Sequence, residues 1–311
     1  MIQVKNLKKL YASFQALNGI NFTANKGEIL ALLGPNGAGK TTTMKIITGF
    51  LSANSGEVEI DGKAIEESAL DIQGKLGYLP ENTPLYPDLN VYEHLEFSAE
   101  VHGIVDKIEK KKAIDTVVKL CSLKEKLYFD ISELSKGYKQ RVALAQAIIH
   151  NPEYLILDEP TTGLDPNQIL EIRELIREIG KKKTVILSSH IMQEVEALAD
   201  RVIVINSGEI VAEGTPAELM QGDMLEDTAM IVHLCIRGAQ KDVIASLEKI
   251  KSVNKVKKEE SVSRGICRYS VQVSEDNREE LCAAIVKAKF GLLECMIAKQ
   301  SLEDVFQELT R

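Results

Sequence analysis

Residues 28–33, 154–157 and 184–187 are short runs of mostly apolar positions bounded by turn-forming residues, with no polar alternation inside them. Runs of this kind suit strands buried on both faces of a largely parallel sheet. Residues 201–205 and 209–212 flank Asn206-Ser207-Gly208, which predicts a hairpin closing the first domain. Between about 85 and 150 the period becomes helical. Ile114, Val117, Val118 and Cys121 recur at i, i+3, i+4 and i+7, and Val91 pairs with Leu95 across one turn, so a helical insertion inside an α/β domain is expected. Tyr11 is expected to lie ahead of the first long strand.

A polar stretch with Gln221, Gly222, Asp223 and Glu226 separates this part from a second, smaller alternation. There the order reads strand 231–236, helix 242–250, strands 253–257 and 267–273, helix 278–289, strand 292–298 and helix 302–309. This is the order of a split βαβ, ferredoxin-like α+β domain with an added terminal helix. The expected domains are therefore 1–220 and 228–311, one large and one small, as suits 311 residues.

The 44% hydrophobic and 27% charged composition belongs to a chain that can bury a sizeable core, and the formal charge of -8 excludes a nucleic-acid backbone as the main partner. Lys110–Lys112 and Lys181–Lys183 read as solvated helix flanks and turns. The five cysteines have no metal-ligand or redox spacing and suit reduced thiols. Residues 1–9 lack an apolar leader core, and no run of about 18 apolar residues occurs. A cytoplasmic chain is expected, with any membrane association made through another subunit.

The chemistry begins at Gly34-Pro35-Asn36-Gly37-Ala38-Gly39-Lys40-Thr41-Thr42, which fits G-x-x-x-x-G-K-[ST] after a predicted strand, with a helix expected from about Lys40. Glycines free successive backbone N–H groups to line a concavity at a helix N-terminus, where phosphates bind. Lys40 is expected to reach the β- and γ-phosphates of ATP, Thr41 to ligate Mg²⁺, and Thr42 to add a phosphate hydrogen bond. A carboxylate for the metal and a group that activates water are also needed. Asp158 and Glu159, at the end of an apolar strand, are the candidates for those two roles.

Together these residues resemble the nucleotide-binding subunit of an ABC transporter, over residues 1 to about 218. Leu134-Ser135-Lys136-Gly137-Tyr138, followed by Lys139-Gln140-Arg141, resembles the ABC signature at the start of a helix whose apolar stripe is Val142, Ala145, Ile148 and Ile149. The resemblance implies that Ser135 and Gly137 cap the γ-phosphate of ATP held by the opposite subunit. Gly163-Leu164-Asp165-Pro166 resembles the D-loop at the dimer seam, and Ser188-Ser189-His190 resembles the switch region, with His190 on the γ-phosphate and catalytic water. Tyr11 stands where the family places an aromatic ring on adenine; an ordinary core or surface tyrosine is the other reading.

Two motifs depart from the family pattern. Lys136 and Tyr138 replace a glycine and a glutamine of the usual signature, and Glu81, in Gly77-Tyr78-Leu79-Pro80-Glu81, replaces the usual Q-loop glutamine. Glu81 can still meet Mg²⁺ through an oxygen, and Lys136 either adds a cation near the γ-phosphate or points to solvent. The run from Thr161 to Gln168 and His190-Ile191-Met192-Gln193-Glu194 resemble exporter-type ATPases, especially gliding-motility-associated ones. Ser301–Phe306 resembles their C-terminal accessory domain. The fold implied is a P-loop ABC ATPase domain, with a mostly parallel core sheet, an antiparallel β part and a helical insertion, followed by the small α+β domain. The implied partners are a second ATPase subunit, identical or related, and separate transmembrane permease subunits. The other function class is a non-transport ABC ATPase acting as a soluble assembly or translation-related factor.

Overall fold

The computed structural model describes all residues except 67, 68, 83, 221–229, 264, 275, 298–302, 304 and 307–311. Two compact units account for the chain: Met1–Leu219, with which the described residues Glu303, Val305 and Phe306 group, and Met220–Ser301. The polar boundary expected around 221–226 lies outside the described residues, as does most of the expected terminal helix. Val305, which the sequence reading gave to the smaller domain, is a buried member of the first grouping.

The first unit has two sheets. The antiparallel one is built from β1 (Ile2–Tyr11), β2 (Phe14–Ala24), β4 (Ser55–Ile60) and β5 (Lys63–Ala64), in the order β2-β1-β4-β5. The other contains β3 (Ile29–Leu33), β6 (Leu76–Leu79), β7 (Tyr154–Asp158), β8 (Thr184–Ser189), β9 (Arg201–Asn206) and β10 (Glu209–Gly214), in the order β10-β9-β3-β8-β7-β6. All its neighbours are parallel except the β9–β10 hairpin. Every residue of β3, β7 and β8 is buried, which is why these strands read as unbroken apolar runs. Tyr11 corrects the sequence reading: it is the last residue of the ten-residue strand β1, whose mixed burial and register shifts hid it from a two-residue period.

Ile2, Val4, Leu17 and Ile20 of the antiparallel sheet share one core cluster with Leu30, Leu32, Met44, Ile47, Ile156, Ile186 and Ile203. The helix Lys40–Ile47 contributes the last turn of that core and so fixes the loop before it.

The insertion is helical as expected. Helix Val91–Val101 begins with a capping box, in which Asn90 Oδ1 accepts from Glu93 N at 3.0 Å and Glu93 Oε2 accepts from Asn90 N at 3.1 Å. Helix Lys107–Leu120 buries Ile114, Val117 and Val118. Lys110–Lys112 lie inside it rather than on a flank, and Lys110 Nζ pairs with Glu96 at 3.2 Å. Helix Lys136–Ile148 buries Val142, Ala145 and Ile148. Among the described residues no helix is long and apolar enough to cross a membrane.

The second unit is an antiparallel sheet of β11 (Met230–Arg237), β12 (Val253–Ser263), β13 (Ile266–Val273) and β14 (Gly291–Ile297) in the order β12-β13-β11-β14. Helices Gln240–Leu247 and Arg278–Lys287 bury Val243, Leu247, Leu281 and Ile285 in its core. This is the expected ferredoxin-like order. The middle strands are longer than expected because they form one hairpin turning near Gly265, at φ +79°.

Candidate active site

Four parallel strands release their chains at one edge of the sheet. Leu33 of β3 pairs with Ser189 of β8, Asp158 of β7 pairs with Ser188, and Leu79 of β6 pairs with Leu157. The glycine loop, Glu159, His190 and Glu81 therefore all leave the same carboxyl edge, the place where open α/β sheets bind ligands.

The glycine loop closes on Lys40. Its buried Nζ donates to Gly34 O at 2.7 Å and Pro35 O at 3.3 Å, and lies 3.5 Å from Glu159 Oε1. Gly39 has φ +111°, and a Cβ there would meet Ala16 O and Leu17 Cδ2 at 2.7 Å, so no side chain fits. A Cβ at Gly34 would stand 2.4 Å from Ile205 O. Gly34, Pro35 and buried Ala38 form the support of the loop, while Asn36, Gly37, Gly39, Lys40, Thr41 and Thr42 face a cavity of about 510 Å³. Tyr11, Glu81, Glu159 and His190 line the same cavity.

Asp158 is 1% exposed. Its Oδ1 accepts from Thr41 Oγ1 at 3.1 Å and from Ser188 Oγ at 2.6 Å, while its buried Oδ2 has no hydrogen-bond partner among the described residues. An anionic oxygen left bare beside a threonine hydroxyl is a donor set suited to a hard divalent cation that keeps several waters. Burial, then the negative charge of Asp158, pushes the neighbouring Tyr78 phenol up to about 12.

Glu159 sits in the left-handed region at φ +49°, a conformation costing a side-chain-bearing residue about 1–2 kcal/mol. Its N–H donates to Ser188 Oγ at 2.9 Å. Glu159 Oε2 meets His190 Nδ1 at 2.8 Å and accepts from Thr162 Oγ1 at 3.3 Å. The turn thus directs one carboxylate towards Thr41 and the next towards Lys40 and His190.

The signature residues do not line this cavity. Ser135 caps helix Lys136–Ile148, accepting from Tyr138 N at 3.4 Å, and lines a separate cleft of about 530 Å³ with Gly137. A Cβ on Gly137 would meet Gln168 Cδ at 2.6 Å, so glycine permits close packing on the helix Pro166–Gly180. Asp165 caps that helix, accepting from Gln168 N at 3.0 Å. Lys136 is exposed, and its ammonium rests against Gly163 of the same chain.

Comparison with known proteins adds the family. The ABC transporter family profile matches residues 17–162. The chain is 33% identical over 320 residues to the linearmycin resistance ATP-binding protein LnrL of Bacillus subtilis (strain 168), covering 100% of this chain and 98% of that protein.

The chain belongs to the ABC transporter family.

It is an ATP-binding, ATP-hydrolysing subunit of that family. The bacitracin transport ATP-binding protein BcrA of Bacillus licheniformis is 38% identical over 215 residues, covering 68% of this chain and 69% of that protein. Among solved structures, a dimeric ATP-binding cassette in a post-hydrolysis state, bound to ADP and Pi, matches with a TM-score of 0.64 and 28% identity, over 69% of this chain and 98% of that one.

Three residues of this ABC subunit were not singled out from its sequence. Ser188 was read only as part of a motif, yet it joins both carboxylates. Phe14 lines the cavity with Tyr11 and is 59% exposed. Gln140 Nε2 donates to Pro160 O at 2.7 Å, tying the signature helix to the segment after Glu159. An aromatic residue directly after the turn at residues 12 and 13 was the available signal for Phe14; the other two depend on side-chain directions that spacing does not give.

Proposed function

We propose that two cassettes, two copies of this chain or this chain and a relative, sandwich two ATP–Mg²⁺ molecules head to tail, each glycine loop being completed by the other subunit's Ser135, Gly137 and Asp165. The observation that carries this reading is the division within one chain. The cavity of about 510 Å³ gathers the glycine loop, Glu81, Glu159 and His190, while Ser135 and Gly137 line a different cleft. A signature that caps phosphate must then do so on another chain.

Within each site Lys40 and the loop amides hold the phosphates, and Tyr11, with Phe14, covers the adenine. Thr41 and Asp158 hold Mg²⁺, with Glu81 placed to reach it through an oxygen. The ion supplies neutralisation of the β- and γ-phosphate charge. Glu159 takes the proton of the attacking water. His190, bonded to Glu159 Oε2, orients that water and the γ-phosphate.

Closure on ATP and opening after hydrolysis drive separate membrane-spanning subunits, so the chain works on the cytoplasmic face of the membrane. The relatives named for bacitracin transport and linearmycin resistance support an exporter. The helical insertion at 85–150 is the docking surface, and the C-terminal α+β domain is accessory to the cassette. Glu159→Gln is expected to give an ATP-dependent dimer in light scattering with phosphate release abolished, and Lys40→Ala is expected to lose nucleotide binding. Hydrolysis by Glu159→Gln near the wild-type rate removes Glu159 as the base.

A further inference from the structure

Glu194 stands in the first turn of the helix Met192–Leu198 and is 2% exposed. Its Oε2 accepts from Ser189 Oγ at 3.0 Å, and its Oε1 is buried without a hydrogen-bond partner among the described residues. Ser189, itself fully buried, accepts from the backbone N–H of Ile191 at 3.0 Å through the same Oγ. The residues on either side of His190 are therefore tied to one hydroxyl, and that hydroxyl is oriented by one carboxylate.

A half-bonded carboxylate is a poor way to fill a core, since an apolar side chain of similar shape avoids its desolvation. Its chemistry is instead suited to orientation. A serine has one proton; while Glu194 takes it, the Oγ lone pairs remain turned to the Ile191 amide. His190 needs such support, because its ring is 42% exposed and, among the described residues, makes one hydrogen bond, between Nδ1 and Glu159 Oε2.

We propose that Glu194 is the positioning residue for His190: acting through Ser189, it fixes the backbone on both sides of the histidine and so holds the imidazole between Glu159 and the reacting phosphate. The proposal rests on the reading of His190 given above. Misplacement by about 1 Å costs a reaction of this kind on the order of 100-fold.

The test is steady-state Mg–ATP hydrolysis by the full-length chain. Glu194→Ala is expected to lower kcat roughly 30- to 100-fold with KM within about 2-fold, whereas Glu194→Gln, whose amide oxygen still accepts from Ser189, stays within about 3-fold of wild type. In a His190→Ala background, adding Glu194→Ala is expected to change kcat no further, because the group it positions is gone. Should Glu194→Ala not fold, Ser189→Ala is expected to show the same pattern. A wild-type kcat for Glu194→Ala overturns the proposal, and so does an equal loss in the His190→Ala background, which marks a merely structural role. A wild-type kcat for His190→Ala alone sinks the underlying reading of His190, whatever Glu194→Ala does.

Discussion

Ser188 Oγ lies 2.6 Å from Asp158 Oδ1 and 2.9 Å from Glu159 N, so a single hydroxyl donates to one carboxylate and accepts from the backbone of the next. The consequence is a fixed divergence of two adjacent acids, with Asp158 turned to Thr41 and Glu159 to Lys40 and His190. Removing the hydroxyl leaves a buried amide unpaired and releases a residue held at φ +49°. Ser188→Ala is expected to cost about 2 kcal/mol of stability, seen as a Tm lower by about 6 °C, and to reduce kcat by about 10- to 100-fold. Calorimetry and phosphate release check both; an unchanged kcat denies Ser188 this role.

The mouth of the cavity at the glycine loop is aromatic. Tyr11 and Phe14 are 43% and 59% exposed and both line it, at either side of the turn between β1 and β2. Exposed rings of this size facing a phosphate cradle suit stacking on a base, worth about 1–3 kcal/mol per ring. Tyr11→Ala and Phe14→Ala are each expected to weaken ATP binding by about 5- to 100-fold on that basis. Binding of inorganic tripolyphosphate, which has no base, is expected to remain unchanged. Equal losses for the two ligands in calorimetric titrations place the rings elsewhere.

Asp61 ties the antiparallel sheet to the parallel one. It accepts from Tyr154 Oη at 2.6 Å and pairs with the Met1 ammonium at 2.9 Å and with Lys26 and Lys75 at 3.2 Å. Burial acts to raise its pKa, but the hydrogen bonds from Tyr154, the Met1 ammonium, Lys26 and Lys75 together outweigh it and hold the carboxyl well below the usual range. A depressed folded-state pKa contributes stability that is present above the unfolded value near 3.9 and is lost as pH falls from there through the folded value. Asp61→Asn is expected to lower stability at pH 7 by about 2 kcal/mol and to flatten the acid limb of a Tm-against-pH curve. An acid limb with the wild-type slope rules Asp61 out as a contributor.

What was legible in the chain follows from which physics acts locally. Strands β3, β7 and β8 bury both faces, so their apolar runs announce them, and the glycine loop is a local motif whose backbone demands, such as φ +111° at Gly39, appear as residue types. Strand β1 did not announce itself, because its register shifts at Val4, Leu7 and Lys9 break the alternation that would mark it. Ser188 and Gln140 were invisible as site residues for a different reason. Their partners, Asp158 and Pro160, are 30 and 20 residues away, and only the sheet order brings them together. The tail from 302 onwards carried a family resemblance, but too few of its residues are described for a helix to be assigned.

The helical insertion presents an exposed aromatic face. Tyr86 and Phe97 are 52% and 44% exposed, and their rings meet edge to face at 5.4 Å. Beneath them buried His94, tilted against Tyr86 at 5.8 Å, is bonded through Nε2 to Gln146 Oε1 at 2.9 Å. Burial lowers the His94 pKa, partly offset by that bond, so the floor of the patch is uncharged at neutral pH. On the reading of the insertion as the docking surface proposed above, these two rings are the anchor for a partner segment, because burying each contributes about 1.5–3 kcal/mol. The double variant Tyr86→Ala/Phe97→Ala is expected to leave ATP hydrolysis by the isolated chain within about 2-fold, since neither ring lines the nucleotide cavity. Its association with membrane subunits is expected to fall by about 100-fold or more, the effect of losing about 3 kcal/mol. Pull-down from detergent-solubilised membranes reads the second effect, and recovery equal to wild type moves the docking surface off this face.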